Sequence, residues 1–540
     1  MKKLMAAGLA GAGLMLGCSR EAPPSAPPAA EAPAVQKAED ISLLQLHFIG
    51  ARHLAGNTNA AKLKELWALP ESAALRDQSL DRVAAQLPAW LGAPKEAAAW
   101  RPLLADALQN EWVLTAREDA AGAAREWTLA IRLEEARANE WKNALTGGAP
   151  GLRVSREQEW VVVGWGGASA SDFEKTVARI KAEGRPAKEL SESWLELRAH
   201  PRFVGLAAGF LRELTDDWLE RATGLPRSAE RGVKATDATW PEVSLSIVGR
   251  GENLHTRSQV RFATPVETPQ AWQVPTNTIR EPLISFTAYQ PASASLQRLA
   301  PWLGPHALLP VLGVEPKQLF TWGQAEVMFQ IFAAARVEGA TNLVRKLGAE
   351  LPARWNAVLT NQGMGYLQFT NETDLFWRGL VPITPYIQPA PEPGDNFLVA
   401  GLFQATPRPN PPPPELLAQL RTNVVYYDWE ITEARLRQWR PTLQLLSVQA
   451  TKGQFFASSS SPAQKWLTAL TPRLGNTVTE VTLEGSNELN ITRKAHLGLS
   501  SIELLALVHW LDNPNFPRTG NPPLKKMNPA EMLPVPAPKK

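Results

Sequence analysis

NTVTEVTLEGSNELNITRKAHLGLSSIELLALVHWLD, residues 476–512, decides the fold class. Two runs rich in β-branched residues, Val478–Leu483 and Glu488–Lys494, read as the strands of a hairpin. The hairpin leads into a helix. Ser500 and Glu503 form its capping box, and Leu504, Val508 and Leu511 fall on one side of it. The order is strand, strand, helix, without the regular strand-helix-strand spacing of a parallel sheet. This reads as an α+β fold with antiparallel strands packed against helices.

The same order occurs near the start of the chain. A helix ends at Leu108, Asn110 follows, and a hairpin of Trp112–Arg117 with Trp127–Leu133 leads into a helix over Glu134–Leu145. Trp100, Leu104, Leu108 and Asn110 recur as Trp466, Leu470, Leu474 and Asn476 at a constant offset of 366. Asn361 and Asn423 also stand between a helix and a strand. Asn tolerates the left-handed conformation that stops a helix, which gives the spacing a cause. The recurrence points to an internal duplication.

Further elements follow the same rules. Ser171–Glu183 reads as a helix with Phe173, Val177 and Ile180 on one face, and Ser461 with Gln464 caps another. Glu159–Gly164, Pro241–Gly249, Leu283–Tyr289, Gly363–Phe369, Phe397–Phe403 and Val424–Ile431 read as strands. Thr264–Pro282 carries four prolines and is the expected junction between two lobes, 41–265 and 280–512. Gln388–Gly394 and Thr406–Glu415 are shorter proline-rich connectors. Asn513–Lys540 holds eight prolines and is expected to be a disordered tail.

The N-terminus speaks to location. Lys2 and Lys3 precede an uncharged run, Leu4–Leu16, then Gly17 and Cys18, the only cysteine of the chain. Charge, apolar run, small residue and cysteine are the order of a bacterial lipoprotein export signal over residues 1–17. Met15 stands where such signals usually carry Leu. Cleavage after Gly17 would leave Cys18 to carry the acyl chains, and two or three chains anchor a protein stably. Ser19, rather than Asp, favours the outer membrane, with the protein facing the periplasm. Residues 18–40, of Ala, Pro and Glu, are expected to form a disordered tether.

Composition excludes several classes. The chain is 44% hydrophobic and 20% charged, ordinary for a folded domain. Losing Lys2 and Lys3 takes the formal charge from +3 to +1, and no basic run occurs, so nucleic acid is not an expected partner. A chain without a second cysteine forms no internal disulfide or thiolate metal site.

Candidate sites are few. In the strand Val424–Ile431, Tyr426, Asp428 and Glu430 share one face, and Tyr427 and Trp429 the other. Two carboxylates two residues apart could do acid–base work. The alternation equally fits a half-buried strand with Tyr427 and Trp429 inside and Asp428 and Glu430 in water. Gly164–Ser169 lies between a strand and a helix, where a glycine loop can cradle phosphate, but the pattern reads better as a tight turn, and no cofactor is expected. His47 and His53 lack a third ligand, so no metal is expected. Trp67, Trp141, Trp218, Trp439 and Trp466 fall in amphipathic helices, which assigns them to the core rather than to a sugar surface.

The strings NVVYYDWEIT, RLGNTVTEV and GLSSIELLALVHWL resemble segments of large uncharacterised bacterial envelope proteins, often lipoproteins. The resemblance spans most of residues 41–512. It implies an envelope location and carries over no activity and no functional residue.

Together these readings describe a lipid-anchored envelope protein that binds or scaffolds an envelope protein partner without catalysis. The alternative is an envelope hydrolase acting on glycan or peptide through carboxylates such as Asp428 and Glu430. The anchor is directly testable. Cys18→Ser should move the protein from the membrane fraction to the soluble one, and a variant that still pelleted after salt washing would remove the lipid.

Overall fold

The structure is a computed structural model that describes residues 41–91, 97–118, 125–146, 151–166, 171–188, 192–207, 240–290, 316–325, 329–361, 363–380, 383–403, 409–451 and 461–517. The export signal, Cys18, the tether, Trp218 and the tail beyond Pro517 lie outside the described residues.

The strands fall into four groups along the chain. The first is β1 (Ile41–Phe48), β2 (Trp112–Glu118), β3 (Arg125–Arg132), β4 (Arg153–Glu157) and β5 (Trp160–Gly166). The second is β6 (Leu195–Ala199), β7 (Glu242–Arg250) and β8 (Asn253–Arg261). The third is β9 (Leu283–Tyr289), β10 (Leu319–Gln324), β11 (Ile331–Arg336), β12 (Tyr366–Thr370), β13 (Asp374–Arg378), β14 (Tyr386–Pro389) and β15 (Phe397–Gly401). The fourth is β16 (Val424–Ile431), β17 (Asn476–Glu484) and β18 (Glu488–Ala495). All 18 belong to one sheet. The pairings run β4-β5-β3-β2-β1-β6-β7-β8-β18-β17-β16-β9-β10-β11-β15-β14-β13-β12, and every neighbour is antiparallel.

One pattern generates the sheet. In each group a strand is followed by an excursion, and a hairpin then returns beside that strand: β2–β3 beside β1, β7–β8 beside β6, β10–β11 beside β9, β17–β18 beside β16. Read outward from the β8–β18 pair, the two halves mirror each other: β8, β7, β6, β1, β2, β3 on one side and β18, β17, β16, β9, β10, β11 on the other. The repeat legible at an offset of 366 relates the first and fourth groups. The stretches expected to form two lobes, 41–265 and 280–512, belong to this one sheet, because β18 pairs with β8 from Glu488↔Arg261 to Ala495↔Leu254.

Helices cover the sheet and join distant groups. Helix α1 (Pro70–Leu91) of the first group packs on α3 (Pro462–Leu470) of the fourth and shares with it, α2 (Thr432–Thr451) and α4 (Ser501–Asp512) a core including Leu66, Leu75, Leu436, Leu467, Leu470, Leu504 and Val508. Ser461 accepts from the Gln464 N–H at the start of α3, and Ser500 with Glu503 forms the capping box of α4, as the sequence predicts. Arg82 in α1 donates to the carbonyls of Leu511 and Asn513 at 2.5 and 2.8 Å, satisfying the free end of α4. Asn513, Phe516 and Pro517, expected to open the disordered tail, are buried, and Phe516 lies edge-on to Trp510.

Thr264–Pro282 carries no strand and links β8 to β9. It is nevertheless pinned. The Gln290 amide pairs with both backbone groups of Gln270, at 3.1 and 2.9 Å. The Gln318 amide accepts from Gln273 N–H at 3.0 Å and donates to Ala271 C=O at 2.9 Å. Both glutamines are buried, and each stands in for a strand that proline forbids. Trp272 packs edge-on against Phe320, and Ile279 is fully enclosed.

Gln318→Ala should therefore cost roughly 1–3 kcal/mol, by leaving buried backbone groups unpaired. Limited proteolysis should cut residues 264–282 faster in this variant than in the parent. Equal cutting rates would mean that the glutamines do not hold the segment.

Candidate functional site

Tyr426, Asp428 and Glu430 do share one face of β16, but that face is not wet. Asp428 is 9% exposed and Glu430 5%. This corrects the expected outward placement. Period-two alternation tells which residues share a face, not which face is covered. β16 lies deep in the sheet between β17 and β9, with α2 and α4 over the carboxylate face and a large aromatic core against the other. Tyr427 is buried in that core as expected, whereas Trp429 packs beside it only half-buried.

The covered face changes character along its length. Tyr426, Val481, Leu483, Leu489 and Ile491 make its apolar end. Asp428, Glu430, Thr477, Thr479 and Arg493 make its ionic end. Register puts Arg493, Thr479, Asp428 and Thr287 side by side across four strands.

Each charge there has a structural task. Glu430 accepts from Ser501 N–H and Ser501 Oγ, both at 2.6 Å, and so sits on the positive N-terminus of α4. Arg493 makes a two-pronged pair with Glu503 at 2.7 and 3.0 Å, and also donates to Thr479 Oγ1 and Gly498 C=O. Arg435 on α2 donates to Gln438 and lies over the Trp439 ring. Gly323 makes room for this pair, since a Cβ there would stand 2.7 Å from both Arg435 and Gln438. Among the described residues, Asp428 receives the Thr287 hydroxyl alone, at 2.7 Å.

Three carboxylates thus face two guanidiniums in a buried cluster. Burial and then the Glu430 charge push the Asp428 carboxyl up to about 7. Burial also raises Glu430 and lowers Arg435 to about 10. Raised carboxylates are what acid–base catalysis uses. Here Glu430 bonds to Ser501 through both oxygens and Asp428 to Thr287 through one, under two helices.

Other candidates resolve in the same structural way. The free N–H groups of Asp172 and Phe173, where a phosphate would sit after Gly164–Ser169, are taken by Glu126 at 2.9 and 3.3 Å. Gly164 instead lets Phe173 close on β5, with 2.8 Å between the ring and the position of a Cβ. No group of three His, Cys, Asp or Glu side chains able to hold a metal occurs among the described residues. Trp141 is buried and bonded to Asp106, and Trp439 and Trp466 are partly buried. Trp67 is the exception: it is 42% exposed, with Arg76 over its ring, because its helix presents Leu66 to the core instead.

A recess among the described residues lies elsewhere, at one end of β1–β5. It is a cleft of about 610 Å³ lined by segments spread over residues 49–159. On its lining, Arg132 pairs with Glu159 at 2.8 Å and Glu111 at 3.5 Å. Glu111 in turn meets the buried His47 at 3.1 Å. Burial opposes the Glu111 charge, but the bonds from His47 and Arg132 outweigh it and hold the carboxyl below its ordinary value. Arg52–Glu134 and Arg156–Glu135 pair at 3.2 Å each on the same cleft. Sequence reasoning singled out His47 and the cleft-lining His53 only as an incomplete metal pair and missed the charged residues, although Glu134-Glu135 at the start of a helix was a visible signal.

No protein-family model and no curated protein matches the chain. One solved structure, crystal form I of TP0453, is similar at 10% identity over 42% of this chain and 76% of that one, with a TM-score of 0.19.

The buried cluster predicts a pH signature. The Asp428 carboxyl is raised on folding, so its proton stabilises the fold. That contribution is complete below about pH 4 and is lost as pH rises through about 7. At 1.36 kcal/mol per unit it is bounded at about 4 kcal/mol. Asp428→Asn should flatten this part of the stability profile and raise stability at pH 8. Denaturant melts from pH 4 to 8 check it, and parallel profiles for variant and parent would mean that Asp428 does not hold the proton.

Proposed function

We propose that this chain is a lipid-anchored cell-envelope protein, held at the outer membrane through Cys18 and facing the periplasm. Its role is to bind or scaffold another envelope protein without catalysis. The observation that carries this reading is the enclosure of Asp428 and Glu430. The two carboxylates best placed for hydrolysis are committed to Thr287 and Ser501, and the cleft is formed by other residues. The resemblance to envelope lipoproteins supports the location, and the absence of a basic run supports a partner other than nucleic acid.

The raised carboxylates favour one competing reading, an envelope hydrolase acting on glycan or peptide. The two separate cleanly. Cross-linking of the lipidated protein in native membranes should capture the same protein partner with the parent and with Asp428→Asn. Purified protein should leave cell-wall glycan and peptides uncut. Cleavage that disappears in Asp428→Asn or Glu430→Gln would replace the binder with the hydrolase.

A further inference from the structure

We propose that the exposed face of the β8–β18 seam binds a phosphoryl group, carried by a lipid headgroup or by a soluble phosphate ester, through Arg250, His255, Arg257 and Lys494. This goes beyond the protein-binding role above and does not depend on it.

Register builds the site. Arg250 comes from β7, His255 and Arg257 from β8, and Lys494 from β18. His255 stands directly opposite Lys494. Arg257, two residues along β8 on the same face, stands between Ser246 of β7 and Thr492 of β18. Paired strands lie about 4.8 Å apart and alternate residues about 7 Å apart, so these long side chains can converge on one small anion. Arg250, Arg257, Thr492 and Lys494 are exposed, whereas Leu254, Ser258, Arg493 and Ala495 on the reverse face are buried.

The charge there is uncompensated. Like charges directly opposite each other destabilise a sheet. Further along the same face the arrangement is the reverse: Arg261 stands between Glu242 and Glu488 and pairs with Glu488 at 3.0 Å. Around Arg257, hydroxyls take the places of those glutamates. The carboxylates in its row, Glu196 of β6 and Glu480 of β17, lie one strand further out and are engaged by Arg198 and Arg421. Glu252, in the β7–β8 turn, acts on His496. Burial and then the charges of Arg250, Lys494 and Arg257 hold the His255 imidazole below its ordinary value, and every charge acting on it is positive.

The donors select the anion. A phosphoryl group carries about −1.5 to −2 charges and three acceptor oxygens. A guanidinium fork and an ammonium both suit it, and the Ser246 and Thr492 hydroxyls add donors. A single carboxylate, with one charge and two oxygens, leaves part of this set unused. An anion among the cations favours the imidazolium, so binding should raise His255 and tighten as pH falls.

The test is histidine NMR on the full chain carrying Cys18→Ser, so that no acyl chain contributes, with His255→Gln identifying the resonance. Inorganic phosphate should raise the pH of half-protonation of His255 by about 0.5 or more above its value in chloride at equal ionic strength. Arg257→Gln/Lys494→Gln should raise it without phosphate, by removing two repelling charges, and abolish the response to phosphate. Lys346→Gln, an exposed lysine on a helix of the other half, should leave the response intact. An equal rise in chloride, or a full response in the double variant, would overturn the proposal. Tighter binding of a tetraglutamate peptide than of phosphate would replace the phosphoryl group with an acidic segment. Flotation with phosphatidic acid vesicles, lost in the double variant, identifies a lipid source. A phosphate response without flotation identifies a soluble ester.

Discussion

The pairing of β8 with β18 is the constraint on which the rest depends. It hydrogen-bonds the end of the chain to its middle, across more than two hundred residues. Without it, the first two strand groups and the last two would be separate sheets with two more open edges, which proteins avoid. With it, the fourth group is threaded between the second and third. That threading places β16 and β17 deep in the sheet, where α2 and α4 cover the face that carries Asp428 and Glu430.

The chemistry of the Asp428 cluster follows from that position. Burial of a carboxylate is costly unless it finds donors or loses its charge. Glu430 finds the start of α4, and Glu503 finds Arg493. Asp428 finds one hydroxyl and shares Arg435 at a distance, so it meets the cost by keeping its proton. The same device recurs in the first half, where Glu126 caps the helix at Ser171–Glu183. Glu430 and Glu126 thus fasten the sheet to a helix, while Asp428 bonds to the neighbouring strand.

Local rules read well from this sequence. β9, β16 and the helix Ser171–Glu183 have the boundaries that the residue pattern predicts, and the caps at Ser461 and Ser500 form as written. The hairpin-then-helix order at 476–512 gave the right class, and its hairpin and the echo near residue 110 are two of four hairpins that return beside an earlier strand. What the sequence did not disclose was long-range. Thr287 lies 141 residues from Asp428, and Ser501 lies 71 from Glu430, so no local period reports them. Trp67 sits on a short helix where rotation by one residue exchanges Leu66 for Trp67. The cleft is assembled from ends of elements between residues 49 and 159, and such a site leaves no motif.

Native-state hydrogen exchange of β8 and β18 tests the central claim of one continuous sheet most directly. Amides at a seam should open only when the whole sheet does. The paired amides of Asn253–Arg261 and Glu488–Ala495 should therefore exchange with a single free energy, equal to that of global unfolding. Exchange of β18 at a markedly lower free energy than β7 and β9, with the two halves opening independently, would contradict the seam and the burial of Asp428 that depends on it.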